Sequence, residues 1–404
     1  MKRVVLTIAL CVAVSASFAQ KKAVSEAQSI AKSTNANFNE ARELIKGALT
    51  NEETKNDAKT WFVAGFVEDQ QFSAERMKQM LGQQPNESVM YGALTNILQY
   101  FDKANELDQL PDAKGKVKAK YTKDIKGILT ADHVYYINAG GYYLGERNYA
   151  KAYDCFEQYL AIEELPYGKA NKTAPRDSNY MIAQFYAAVT ATQLDDHQKA
   201  IAALERAKST NYNLNEVYQY LTEEYNQLKD TVNAEKTLEE GLKKFPEEKF
   251  FLLSLINTYI YSDRNDKAIT YLNTAIAQEP NNPQLYDVLG RVYESVKDYD
   301  KAEESFNKAL SIDPNYTESL SNLGRVYYNQ AINKQNEANM LNDNKQYQEE
   351  VAKAKDIFRK ALPYFEKVNK LKPDDREYLI ALRNIYYNLN MNDEFNAIEA
   401  QMNQ

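Results

Sequence analysis

The fold is decided by residues 283–316, which read PQLYDVLGRVYESVKDYDKAEESFNKALSIDPNY. Apolar residues at helical spacing form one face of a predicted first helix and one face of a predicted second helix: Tyr286, Leu289, Gly290 and Tyr293, then Ala302, Phe306 and Ala309. Asp298 lies in the turn between them. Pro314 ends the second helix, because proline has no backbone N–H to donate. The stretch therefore predicts a helical hairpin.

The same pattern recurs at intervals of 34 residues. The matching small, large and closing positions are Ala200, Ala234, Ala268 and Ala302; Leu204, Leu238, Leu272 and Phe306; and Pro246, Pro280 and Pro314. A period of this length predicts stacked helical hairpins. Such an array has one extended core and no enzyme-like crevice by default.

Residues 283–316 resemble a tetratricopeptide repeat (TPR), whose large, small and closing residues all stand at the expected offsets. The resemblance implies an all-α fold, a right-handed superhelical solenoid of antiparallel helix pairs, with about eight hairpins. Residues 20–132 are expected to form a divergent TPR-like helical region. Residues 133–404 are expected to form the clearer array, with an exposed loop at 167–179.

One repeat departs from the template in the C-terminal part. After Thr317 the next matching small residue is Ala361, so about 25 residues are inserted by the 34-residue template. We expect residues 328–360 to extend both helices of this hairpin, with a turn near residues 342–344. Its narrow seam is predicted to contain Ala331, Ile332, Ala338, Leu341, Val351, Ala354 and Phe358. Pro363 then falls inside the second helix and is expected to kink it.

Residues 1–19 resemble a secretory signal peptide. Lys2 and Arg3 precede an apolar run over 4–14, and small residues lead up to a cleavage site after Ala19. This predicts export, to the periplasm or the outer membrane of a Gram-negative bacterium. No later stretch is long and apolar enough to span a membrane.

The cysteines support neither a lipid anchor nor a disulfide. Leu10 precedes Cys11 where a lipobox needs a small residue, so Cys11 is interpreted as part of the signal. Cleavage would leave Cys155 alone, and one cysteine cannot form an internal disulfide.

Charge and motifs argue against two classes of function. The formal net charge is -8, which disfavours a nucleic-acid binder, since phosphates require a basic face. There is no phosphate loop, dinucleotide fingerprint, nucleophile elbow or HExxH. His133, at the start of a predicted helix, and His197, in a predicted turn, are interpreted as surface or cap residues. We therefore predict no catalytic residue, no cofactor and no metal site.

The many tyrosines raise the question of sugar binding. Six of them share one repeat position and are expected to pack between helices: Tyr143, Tyr225, Tyr259, Tyr293, Tyr327 and Tyr386. Tyr328 and Tyr387 lie one position further on and are less constrained.

The resemblance places a ligand-binding surface on the concave face, which first helices line at fixed repeat positions. The residues expected there to contact a partner are Gln219, Glu223, Asn226, Asn257, Asp287, Arg291, Arg325 and Tyr328. Guanidinium and amide groups so placed are suited to a peptide carboxylate or backbone. The alternative is that Arg291 and Arg325 pair with nearby acids. The clamp of lysines and asparagines in chaperone-binding TPR domains is not reproduced.

These patterns predict a non-catalytic scaffold that binds a peptide or partner protein. The alternatives are a glycan-binding or nutrient-uptake accessory protein and a regulatory subunit of an envelope enzyme. The sequence leaves the partner and the oligomeric state open, because architecture alone indicates function only by analogy.

Overall fold

The computed structural model describes residues 19–165, 177–373 and 375–402, and every regular element in these ranges is a helix. Residues 1–18 of the predicted signal peptide and 167–176 of the predicted loop lie outside the described part. The chain forms two compact units, Met1–Ala234 and Glu235–Gln404.

The first unit contains nine helices within its described residues and the start of a tenth. They are α1 (19–31), α2 (Phe38–Thr50), α3 (Ala58–Met80), α4 (Glu87–Asp108), α5 (Thr122–Gly145), α6 (Tyr149–Glu164), α7 (Ser178–Ala191), α8 (His197–Ala207), α9 (Leu214–Gln227) and α10 (Thr231–Lys244). The last of these crosses the boundary between the units. Helices α3 and α4 have 23 and 22 residues, longer than those of the regular repeats.

The second unit continues with four hairpins. Its helices are α11 (Lys249–Tyr261), α12 (Asn265–Gln278), α13 (Pro283–Ser295), α14 (Tyr299–Ile312), α15 (Thr317–Asn339), α16 (Asn344–Leu371), α17 (Arg376–Leu389) and α18 (Asn392–Met402). Neighbouring helices pack pairwise, and α15 also contacts α13 and α17. This all-α array of stacked hairpins confirms the predicted TPR solenoid.

The predicted 34-residue period is the period of the core. All of its small and large positions are buried: Ala200, Ala234, Ala268 and Ala302, and Leu204, Leu238, Leu272 and Phe306. Burying these side chains supplies the main favourable contribution to folding, because apolar surface leaves water. The repeat pattern is thus a packing pattern.

Close contacts between a glycine and a phenylalanine explain the small residue in the first helix. A Cβ on Gly290 would lie 2.6 Å from a ring carbon of Phe306, sixteen positions later. In the second unit Gly324 faces Phe365 in the same way, forty-one positions later. The interval is longer by 25 residues, which is the size of the predicted insertion.

The inserted residues belong to two long helices, α15 and α16. Buried Ala331, Ala338, Ala354 and Phe358 form their seam, and Lys334 on α15 pairs with Glu350 on α16 at 2.8 Å. The chain turns after Met340. Leu341, which we expected in the seam, is exposed, because it falls in the turn beyond the last contact of the helices. Pro363 lies within the continuous span of α16.

The six tyrosines at one repeat position pack between helices as predicted. Tyr143, Tyr259, Tyr327 and Tyr386 are buried, and Tyr225 and Tyr293 are half-buried. Several of their hydroxyls donate to a glutamate twenty positions earlier, as Tyr259 does to Glu239 at 3.0 Å and Tyr386 does to Glu366 at 3.0 Å. These bonds tie each first helix to the preceding second helix.

The prediction that His133 begins a helix is wrong. Helix α5 starts at Thr122, and His133 lies within it, stacked on the ring of Tyr159 at 3.9 Å. The earlier start has a physical cause in Asp108 at the end of α4. Its carboxylate accepts the backbone N–H groups of residues 120–122 at 2.7 to 3.1 Å, which satisfies donors that a helix start leaves unpaired.

Candidate functional site

A cavity of about 700 Å³ lies among the first helices of the second unit, α13, α15 and α17. We call it the polar cavity. Amide, guanidinium and phenol groups dominate its lining, which includes Gln284, Arg291, Asn322, Tyr328, Tyr378 and Asn384. A cavity of this size suits a short ligand segment.

A buried carboxylate organises the polar cavity. Asp287 is only 3% exposed, and its Oδ1 accepts from Ser319 Oγ at 2.8 Å and from Asn322 Nδ2 at 2.9 Å. Its Oδ2 lies 3.2 Å from Nε of Arg291. Three donors thus compensate the loss of water around this charge. Asp287 therefore orients the groups that border the cavity.

The two predicted arginines differ in how they are held. Arg325 forms a bidentate ion pair with Glu294 at 2.8 and 2.9 Å and also donates to Asn322. Arg291 pairs with Asp287 through Nε, and its side chain is 54% exposed. Among the described residues, no further ion pair involves Arg291. The alternative that both arginines pair with nearby acids is therefore correct, but Arg291 keeps its terminal nitrogens available.

Hydroxyl and amide groups join α15 to α17 across the polar cavity. Asn384 Nδ2 donates to the Tyr328 hydroxyl at 3.1 Å, and the hydroxyls of Ser321 and Tyr378 are hydrogen bonded at 3.1 Å. Burial, followed by the charge of nearby carboxylates, raises the pKa of Tyr316 above its ordinary value. Its phenol therefore stays protonated near neutral pH and can donate a hydrogen bond.

A second, smaller cavity of about 300 Å³ lies between α11 and α13, above α12. We call it the apolar slot. Its walls are aliphatic and comprise Leu252, Leu253, Ile256, Leu272, Ala275, Leu285 and Val288. Asn257 lines its edge, and Gln284 lines both the slot and the polar cavity. The two cavities therefore share a wall.

The structure brings together four of the eight predicted contact residues. Asp287, Arg291, Arg325 and Tyr328 all line the polar cavity. Gln219, Glu223 and Asn226 lie on α9 in the first unit, where Glu223 and Asn226 are exposed. The second unit therefore holds the assembled part of the predicted site.

Comparison with known families supports the reading of the repeat. The family model described as "Tetratricopeptide repeat" matches residues 283–316, the stretch that forms α13 and α14. The same hairpin recurs in the structure at the predicted interval. The chain is a TPR protein. A comparison with curated proteins found no match.

Several solved structures are similar to parts of this TPR protein. A crystal structure of MamA is 18% identical and covers 46% of this chain and 88% of its own, with a TM-score of 0.36. YrrB, titled a TPR protein with an unusual peptide-binding site, is 17% identical and covers 50% of this chain and 96% of its own, with a TM-score of 0.35. MamA from Desulfovibrio magneticus RS-1 is 17% identical and covers 45% of this chain and 96% of its own, with a TM-score of 0.32.

Sequence reasoning missed the contribution of α17 to the TPR site. Asn384 and Ile380 line the polar cavity, although neither was predicted. The signal was present, because adding the 25 inserted residues to one period carries the position of Arg325 to Asn384 and that of Ser321 to Ile380. Asn322 and Tyr378 are further cases whose role depends on contacts between helices.

The structure shows no grouping of catalytic type in the described part of the TPR protein. No cluster of three or more His, Cys, Asp or Glu suited to a metal was found there. His197 begins α8, and its Nδ1 lies 2.8 Å from Glu224. Cys155 is buried, and burial raises the pKa of its thiol to about 12, which suppresses the reactive thiolate. No enzyme family is indicated, and none of the described helices is long and apolar enough to cross a membrane.

Proposed function

We propose that this TPR protein is a non-catalytic scaffold that binds an extended segment of a partner protein in the polar cavity. The observation that carries the proposal is the state of Arg291. Asp287 holds its Nε, while its terminal nitrogens remain able to donate to a carboxylate in the fork geometry that arginine favours.

The rest of the lining suits a peptide backbone. Gln284, Asn322 and Asn384 present side-chain amides, which both donate and accept hydrogen bonds as a peptide group does. Glu318 and Glu377 also line the cavity and would favour N–H donors of the ligand. An extended chain offers both kinds of group along its length.

The cellular setting is part of the same proposal. The sequence of residues 1–19 supports export, and with it a partner in the periplasm or at the outer membrane of a Gram-negative bacterium. Fusion of residues 1–19 to a reporter enzyme would test this. Reporter activity that stays in the cytoplasm would contradict export.

Replacing Arg291 by glutamine tests the binding site. A library of random-sequence peptides would be selected on the immobilised full chain, and fluorescence anisotropy would give the affinity of each selected peptide. We expect Arg291→Gln to weaken binding at least about tenfold, because a charge-assisted hydrogen bond is lost. Arg325 is unsuited to this test, because its removal would leave Glu294 without its partner.

Arg359→Gln is the matched control, since Arg359 pairs with Asp356 on exposed α16 and lies outside the polar cavity. Circular dichroism would verify that both variants keep their helices. Ser321→Phe, which fills the cavity, should also abolish binding. Peptides that bind wild type, Arg291→Gln and Ser321→Phe equally well would refute the assignment.

Glycan binding is the second candidate, because Tyr316, Tyr328 and Tyr378 line the polar cavity beside amides. Aromatic rings and planar polar groups also suit sugar hydroxyls and sugar faces. Calorimetric titration of the full chain with a panel of oligosaccharides would distinguish the two. Heat that Ser321→Phe abolishes would favour the glycan, and a flat titration would exclude the glycans tested.

A further inference from the structure

The apolar slot occupies a place where neighbouring repeats carry polar groups. Leu253 stands at the repeat position that Asp287 and Ser321 occupy in the next two hairpins, each 34 residues on. Those two residues line the polar cavity, whereas Leu253 lines the slot. The binding face of the second unit thus changes from aliphatic at α11 to polar at α13 and α15.

Water reaches this aliphatic patch. Leu253 is 43% exposed, although Leu252 and Ile256 beside it are buried. Exposed apolar surface at a concave site loses free energy to water and regains it when a ligand covers the site. A volume of about 300 Å³ admits one aliphatic side chain with part of its backbone, but it is too small for a helix.

Polar groups close the end of the apolar slot away from the polar cavity. Lys249 and Glu279 form an ion pair at 2.5 Å, and Asn282 donates to the same glutamate at 2.9 Å. Gln284 borders the opposite end and belongs to both cavities. A chain that leaves the slot past Gln284 therefore enters the polar cavity directly.

We propose that the apolar slot binds one aliphatic side chain, such as Leu, Ile, Val or Met, of the same partner segment that enters the polar cavity. This inference rests on the proposed function and adds a specificity to it. The ligand is an extended segment with an aliphatic residue on the α11 side and polar or acidic groups on the α15 side. The side chain excludes water from Leu253, and Arg291 and the amides hold the polar part.

A double-mutant cycle tests the slot. One peptide selected on the full chain would be compared with the same peptide carrying Asn in place of its aliphatic residue, on wild type and on Leu253→Gln. We expect the Asn change to weaken binding to wild type roughly tenfold, because a buried apolar side chain is lost. On Leu253→Gln the same change should cost less than about threefold, since the two groups no longer interact.

Leu371→Gln is the matched control, because Leu371 is also 43% exposed and lies outside both cavities. It should leave the tenfold difference intact. Peptides that need Arg291 but show no preference for an aliphatic residue would overturn the slot and leave the proposed function standing. Selection that yields no cavity-dependent peptide would remove both. Decanoate binding that Leu253→Gln abolishes, without any peptide binding, would overturn the peptide occupant in favour of an acyl chain.

Discussion

Two adjacent glycines on α5 show how a single methyl group decides packing. A Cβ on Gly140 would lie 2.5 Å from Cζ of Phe156, closer than two carbons can approach. A Cβ on Gly141 would meet no heavy atom within 4 Å. The first glycine is therefore required by helix packing, and the second is a residue of low helix propensity on an exposed face.

Alanine at these positions should have opposite effects. Gly140→Ala forces Phe156 or α5 to move, and we expect a loss of about 1–3 kcal/mol in the free energy of unfolding. Gly141→Ala should raise it by about 0.5–1 kcal/mol, because alanine favours the helix. Trp61 on α3, the single tryptophan, reports unfolding of the first unit by fluorescence in urea. Equal shifts of the two variants would contradict the packing argument.

At the scale of elements, α3 and α5 enclose two buried carboxylates with one cation. Asp69 on α3 and Asp132 on α5 are both buried, and Arg76 NH1 lies 3.1 Å from Asp132 Oδ1. Gln70 donates to Asp69 at 2.9 Å, while Asp132 Oδ2 has no hydrogen-bond partner among the described residues. Burial, followed by the charge of Asp69, raises the pKa of Asp132 to about 7.

This pair makes the first unit less stable at higher pH. The pKa of Asp132 is about 7 in the folded chain and near 4 when unfolded, so the folded state holds an extra proton between these values. The free energy of unfolding should therefore fall as the pH rises from about 4 to about 7, by more than about 1 kcal/mol. Urea unfolding followed by Trp61 fluorescence at several pH values would measure the slope.

Asp132→Asn should flatten this dependence and make the first unit more stable than wild type at pH 8, since the buried negative charge is removed. Asp124→Asn, on the exposed face of the same helix, is the control. If wild type and Asp132→Asn show the same slope between pH 4 and pH 7, the pair does not share a proton as described.

At the scale of the whole molecule, each unit is a stack in which helices contact their near neighbours in sequence. In the second unit α15 packs against α14 and α16 and touches α13 and α17. Stability in such an array is approximately a sum of repeat and interface contributions. A local defect should therefore spread only over adjacent hairpins.

Phe306→Ala provides the measurement. Phe306 is fully buried against Gly290, and its removal should cost about 3–5 kcal/mol. We expect amide hydrogen exchange to increase most in α13, α14 and α15 and less in α18. Tyr387→Ala, at an exposed position on α17, should leave exchange in α13 and α14 unchanged. A uniform increase over the second unit would show all-or-none unfolding instead.

The sequence by itself determined the hairpins, the period and the core. Spacing alone marked Ala302 and Phe306 as buried, because a helix brings positions three and four apart onto one face and every repeat uses the same face. It also located the long hairpin, since an insertion shifts the later repeat residues by a fixed number. These properties depend on neighbours in sequence or on an exact repeat.

Only the tertiary structure decided what the exceptions to the repeat do. It showed that Glu294 holds Arg325 while Arg291 keeps free donors, and that Asp108 starts α5 eleven residues before His133. The sequence also gave no sign that Leu253 borders an open slot. Each outcome depends on which side chains from different helices meet, and that is set by packing distances and charge compensation rather than by helical spacing.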